Sequence, residues 1–221
     1  MTTIRAMGTV VSAILLLLAA PVFSQENSDV TWSILQPVGN SEEIVDTINE
    51  EIALGLAPVG LELDVNGRIF LLLTDEYPDF QNWVIHEFAD LSSFEEEFSN
   101  FLGAGWLPED IVVRDERIVA LFLQRDVEAM GWTILSSDLT DEEVEIARTA
   151  LEEAGYFVTG TSTHNNRAWL LGVEFEGQPS GELELSVHTR LDEQLQADIN
   201  QRRVDGWQLR SLARSDQDGV I

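Results

Sequence analysis

From residue 32 onward two hydrophobic rhythms alternate along the chain. Short stretches that alternate apolar and polar positions, "WSILQP", "WVIHEFAD", "WTILSSD" and "ELELSVHT", begin at Trp32, Trp83, Trp132 and near Leu183. A period of two over such lengths predicts half-buried strands. Each is followed by a stripe at helical spacing. The stripes are Ile44, Ile48 and Ile52; then Phe94, Phe98, Phe101 and Leu102; then Val144, Ala147, Leu151 and Ala154; then Leu191, Leu195 and Ile199. These spacings put one face of each helix on a core and leave the other to acids. Runs such as "FEEEF" and "TDEEVE" therefore read as solvated helix faces. Capping boxes are expected at Ser92/Glu95 and Thr140/Glu143, with looser versions at Asn40/Glu43 and Thr189/Asp192.

Every helix is expected to stop at a glycine: Gly55, Gly105, Gly155 and Gly206, at intervals of 50, 50 and 51 residues. A bulky apolar residue follows each one, namely Leu56, Trp106, Tyr156 and Trp207. Because leucine cannot offer a stacking face yet can fill a core, the recurrent step reads as a fold signature and not as a sugar platform. A second strand and a turn come next ("VNGR", "RDER", "THNNR"). An unbroken apolar run then opens on Arg68, Arg117 or Arg167. Continuous apolar runs mark strands covered on both faces, so the third strand should be central and the order 1-3-2.

The expected fold is α+β: four tandem β-α-β-β repeats, with three-stranded sheets and helices on one face. Their bounds are 30–76, 80–127, 130–177 and 181–221, the last with an incomplete final strand. One helix covers only one face of its sheet. The units should therefore pair through their sheets, either as two compact pairs or as one continuous assembly.

The Gly105-Trp106, Gly155-Tyr156 and Gly206-Trp207-Gln208-Leu209 steps, set between a Trp-led strand and a hairpin, resemble a small bacterial domain-of-unknown-function family. That family is typified by a Gly-Trp-Glu-Leu-like helix exit. The resemblance would cover most of residues 30–221; the first copy departs from it, with Gly55-Leu56 and Pro58. It implies a fold and brings no activity with it.

Residues 1–24 add an address. Arg5, an apolar stretch from Val10 to Ala20, and small residues at Val22 and Ser24 form a secretory signal peptide. The chain is then expected to be exported, to the periplasm or beyond, with no membrane span after cleavage. The whole chain carries a formal charge of −28 and contains no cysteine. That excludes a disulfide, a thiolate nucleophile or a cysteine-linked lipid, and it makes nucleic acid and anionic lipid poor partners. All 12 basic residues are arginine. Acidity without lysine suits concentrated salt, where screening over about 3 Å at 1 M relieves self-repulsion; a GC-rich genome would give the same bias.

No phosphate loop, nucleophile elbow or zinc spacing is present. His86, His164 and His188 occupy non-equivalent positions. "SDQDGVI" lacks the closing acid of a calcium loop, which leaves weak, nonspecific divalent binding to an acidic surface. The expectation is no catalytic, cofactor or metal site. The signature residues Gly55, Gly105, Trp106, Gly155, Tyr156, Gly206 and Trp207 are structural, and the function is interaction with a protein or envelope component. The alternative is a small-ligand binder with a pocket between paired repeats.

Overall fold

The computed structural model describes residues 32–35, 41–63, 68–75, 80–114, 117–176 and 193–205. The leader, Asn40, the Asn66-Gly67 turn, Thr189 and Asp192, His188, Gly206-Trp207 and "SDQDGVI" lie outside them. The elements in order are β1 (Trp32–Leu35), α1 (Ser41–Ala53), β2 (Ala57–Leu63), β3 (Ile69–Thr74), β4 (Asn82–Phe88) and α2 (Leu91–Gly103). Next come β5 (Trp106–Arg114), β6 (Arg117–Gln124), β7 (Ala129–Asp138), α3 (Asp141–Glu153), β8 (Phe157–His164), β9 (Arg167–Phe175) and α4 (Glu193–Val204).

The class is α+β with three small antiparallel sheets, ordered β1-β3-β2, β4-β6-β5 and β7-β9-β8. In each sheet the unbroken apolar run is the middle strand. β6 shows why: Ile118 to Leu123 are all buried, because helix-side and far-side residues both meet other protein.

Local chemistry accounts for the element ends. Gly55, Gly105 and Gly155 have φ of +94°, +80° and +91°, and their N–H groups donate to Ile52, Leu102 and Glu152 carbonyls at 2.9, 2.9 and 3.0 Å. A Cβ added at Gly55 or Gly105 would meet nothing within 4 Å. Left-handed backbone, not space, therefore demands glycine at these helix exits. The turn at Asn165-Asn166 places both residues at positive φ, the paired requirement of a tight hairpin that asparagine tolerates.

One cap differs from expectation. Helix α2 is capped by Asp90, whose carboxylate accepts from the Ser93 N–H at 2.8 Å while the Ser93 hydroxyl accepts from the Asp90 N–H at 3.0 Å. Ser92 already lies inside the helix. A capping box needs a polar pair three residues apart, and Asp90/Ser93 supplies it two residues earlier than Ser92/Glu95. These bonds hold the Asp90 carboxyl below its usual range. At α3 the N-cap half of the expected box is present: the Thr140 hydroxyl accepts from the Glu143 N–H at 3.3 Å.

The sheets meet in series, and a sheet is not simply laid face to face on another. Ile48 of α1 with Leu61, Leu71 and Leu73 forms one core, and Val112, Val119 and Leu121 of the second sheet close it. Phe94 and Phe98 of α2 with Ile111, Ala120 and Phe122 form the next, closed by Leu171 and Val173 of the third sheet. The far side of each later sheet thus covers the helix-bearing side of the sheet before it. This answers the need of a two-face-buried central strand. Trp83 and Trp132 carry the contact. Trp83 packs on the first core and its indole N–H donates to Asn49 Oδ1 at 3.0 Å; Trp132 stands edge-on to Phe94 with ring centres 5.1 Å apart.

Candidate functional site

The second strands β2, β5 and β8 share one irregularity. Each pairs with its central strand through a β-bulge, between Pro58 and Gly60, Pro108 and Asp110, and Val158 and Gly160. A bulge leaves one residue outside the ladder and bends the strand; proline is tolerated beside it because it has no N–H to lose. The extra residues are Val59, Glu109 and Thr159, followed by Gly60, Asp110 and Gly160. Spacings of 50 residues put these at one structural point in three sheets.

At that point the middle sheet carries a carboxylate where its neighbours carry glycine. Asp110 is fully buried. Its Oδ2 accepts the Leu61 N–H of β2 at 2.8 Å. Its Oδ1 accepts the Thr161 N–H of β8 at 3.0 Å and the Ile111 N–H of its own strand at 2.9 Å. One side chain therefore joins backbone donors from three sheets. The Ser162 hydroxyl adds a further tie by accepting the Val113 N–H at 2.8 Å. Buried N–H groups require such partners, and a carboxyl group supplies two acceptor oxygens.

The glycines make room for it. A Cβ on Gly160 would lie 2.8 Å from Asp110 Cα and 2.9 Å from Ile111 N, both backbone atoms that cannot swing away. On Gly60 the nearest neighbour is Leu72 Cβ at 3.0 Å, with Asp110 Oδ2 at 3.5 Å. Gly160→Ala is expected to cost about 2–3 kcal/mol in urea melts, more than Gly60→Ala. Equal effects would show that the β5–β8 approach is looser than described.

Glu109 is nearly as buried, 5% exposed. Its Oε1 lies 3.0 Å from Arg125 Nη1. Burial pushes its carboxyl up to about 7, against the opposing pull of the Arg125 charge. The folded state thus holds this proton more tightly than the unfolded chain. The stabilisation is complete below about pH 4.5 and is lost as pH rises to about 7. The span is worth on the order of 3 kcal/mol. In Glu109→Gln this component vanishes. Between pH 4 and pH 8 the stability difference, mutant minus wild type, should shift by that amount in the mutant's favour. Parallel pH profiles would show that Glu109 does not titrate in this range.

The residues singled out from sequence are scattered by comparison. Trp106 and Tyr156 are half-buried beside the α2 and α3 cores, and Leu56 is buried in the first core. The step thus packs, though its rings are not fully enclosed. His86 lies edge-on to Phe88 with ring centres 4.6 Å apart, and its Nε2 is 3.6 Å from Glu97. His164 ends β8, with Nε2 2.8 Å from Asn165 Nδ2. Arg117 pairs with Glu87 on the surface, and Arg167 donates to Ser136 Oγ at 2.7 Å. These side chains do not converge. Among the described residues no group of three or more His, Asp or Glu side chains could hold a metal ion, and no helix is long and apolar enough to cross a membrane.

Sequence reasoning passed over Glu109 and Asp110. The available signal was two acids inside "LPEDIVV", an otherwise apolar strand, four and five residues after the helix-exit glycine Gly105. Gly60 and Gly160 stand at the same place in the flanking strands.

No protein-family model matches the chain, and no match is found among the curated proteins.

Proposed function

We propose that this is an exported, non-catalytic interaction or structural protein of tandem α+β modules, with residues 1–24 as a cleaved leader and four β-α-β-β units between residues 30 and 221. The observation that carries the reading is the use of the buried polar cluster found among the described residues. Glu109 pairs with Arg125 within the second unit, and Asp110 beside it accepts backbone donors from all three sheets. Glu109 and Asp110 are closed to solvent. A catalytic acid has to reach a substrate; Asp110 instead ties three sheets together, and Glu109 is paired with Arg125.

What remains for recognition is the outer surface. Glu42, Glu43, Glu95, Glu96, Glu142 and Glu143 face solvent on three helices, and β1, β4 and β7 are edge strands. Edge strands offer unpaired backbone groups to an incoming segment. Affinity capture from envelope extracts with the mature chain as bait, beside thermal-shift scans of sugars, peptides and divalent cations, separates the readings. A specific envelope protein with no small-molecule shift supports this one. A saturable small-molecule shift, or turnover of any compound, overturns it.

The same surface supports adaptation to salt. Clustered exposed carboxylates repel one another in dilute buffer, and screening removes most of that cost. The urea midpoint should rise between 0.1 M and 2 M sodium chloride. An unchanged midpoint contradicts salt adaptation.

A further inference from the structure

The serial packing of the sheets has two ends. At one end, the far side of the first sheet is left over. Leu71 and Leu73 of β3 face the α1 core. Leu72 and Thr74, which alternate with them, point to the opposite side, yet they are 4% and 0% exposed. In the second and third sheets the corresponding side is covered by the helix-bearing side of the preceding unit. No described element precedes the first sheet, yet Leu72 and Thr74 on its far side are closed to water all the same.

At the other end stands α4, the helix of the fourth unit. Ile199 on it is buried, 7% exposed. Its Arg203 reaches the end of β3, with Nη2 3.6 Å from Asp75 Oδ1, one residue beyond Thr74. The arginine side chain is only 8% exposed and the aspartate 25%. An ion pair this sheltered marks a packed contact and not a chance surface approach.

The two ends match. α1 is covered by the far side of the second sheet through Trp83, α2 by the far side of the third through Trp132, and α4 touches the margin of the first. We infer that the units close into a ring within one chain, α4 seated on the far side of the first sheet as α1 and α2 are seated on those of the second and third. The occupant of the covered face is therefore this chain's own fourth unit, so the inference rests on the four-unit reading proposed above. Acidic helix faces and the outer edge strands are then what the closed molecule presents.

The chain has no cysteine, so Asp75→Cys with Arg203→Cys introduces the only two thiols. A short bis-maleimide added to about 1 µM protein should give a monomer-sized product whose digest links the peptides holding positions 75 and 203. Neither single variant should give it, and urea should abolish it. A concentration-dependent dimer would mean that α4 seals a second copy, and no product from the folded double variant would mean that the seam is open; either result overturns closure. Should the double variant fail to fold, small-angle scattering of the unaltered mature chain decides. A closed body of about 200 residues has a radius of gyration of about 16 Å, whereas an open stack gives a clearly larger value and contradicts the ring. Failure of envelope capture would leave both outcomes readable, because neither depends on a partner.

Discussion

Asp110→Ala is expected to lower the unfolding free energy by roughly 3–6 kcal/mol, since it strands the N–H groups of Leu61, Ile111 and Thr161 at about 1–3 kcal/mol each, partly offset by relaxation. A loss of this size approaches the whole stability of many domains. The discriminating variant is Asp110→Asn. Its amide oxygen can keep two of the donors on one side, while its NH2 faces a third donor and repels it. The two oxygens serve different sheets, Oδ2 taking Leu61 and Oδ1 taking Thr161 and Ile111. Asparagine should therefore cost about half as much as alanine and loosen one sheet more than the others. Urea melts of both variants check the magnitudes. A loss below about 1 kcal/mol for alanine would mean that water reaches these donors and the junction is not sealed.

Phe98→Ala should cost about 3–5 kcal/mol. The ring is fully buried and lies 4.6 Å from the Trp132 ring centre and 5.6 Å from that of Phe122. Deleting it opens a cavity between α2, its own sheet and the third sheet. Trp132→Ala removes the other side of the same contact, so the double variant should lose less than the two single losses added together. Strict additivity, measured in the same melts, would show that the second and third sheets are not coupled through this pair.

Much of the fold was legible because it is written locally. The stripe at Ile44, Ile48 and Ile52 and the glycine at Gly55 each concern a few neighbouring residues, and helical period and left-handed backbone leave plain marks. The unbroken run "RIVALFL" likewise announced a central strand. Two features were not legible, for different reasons. The α2 cap was misplaced because aspartate and serine both cap well, and two offsets of the box fit the same stretch. The far side of each sheet was known to need cover, but which neighbour supplies it depends on contacts some 50 residues apart in sequence.

The junction was hidden by composition. With 40 acidic residues in the chain, Glu109 and Asp110 looked like two more solvated carboxylates. Their distinction lies in position. They sit where the flanking strands carry Val59-Gly60 and Thr159-Gly160, so at the Asp110 position a side chain appears only in the middle strand of the three. Among the described residues singled out beforehand, Gly55, Gly105 and Gly155 have left-handed backbone, and Trp106 and Tyr156 lie half-buried beside helix cores. The buried acids emerged only when the three bulges were brought to one point.

The central claim is that the sheets are one cooperative body held at Asp110, not beads on a string. Native-state hydrogen exchange at the Leu61, Ile111 and Thr161 amides tests it most directly, because these three donors belong to three sheets and share one acceptor. All three should exchange with a single opening free energy, equal to that of global unfolding, and Asp110→Asn should lower the Leu61 value most. Three separate opening energies in the unaltered protein, or a Leu61 amide that exchanges as an exposed strand edge would, would contradict it.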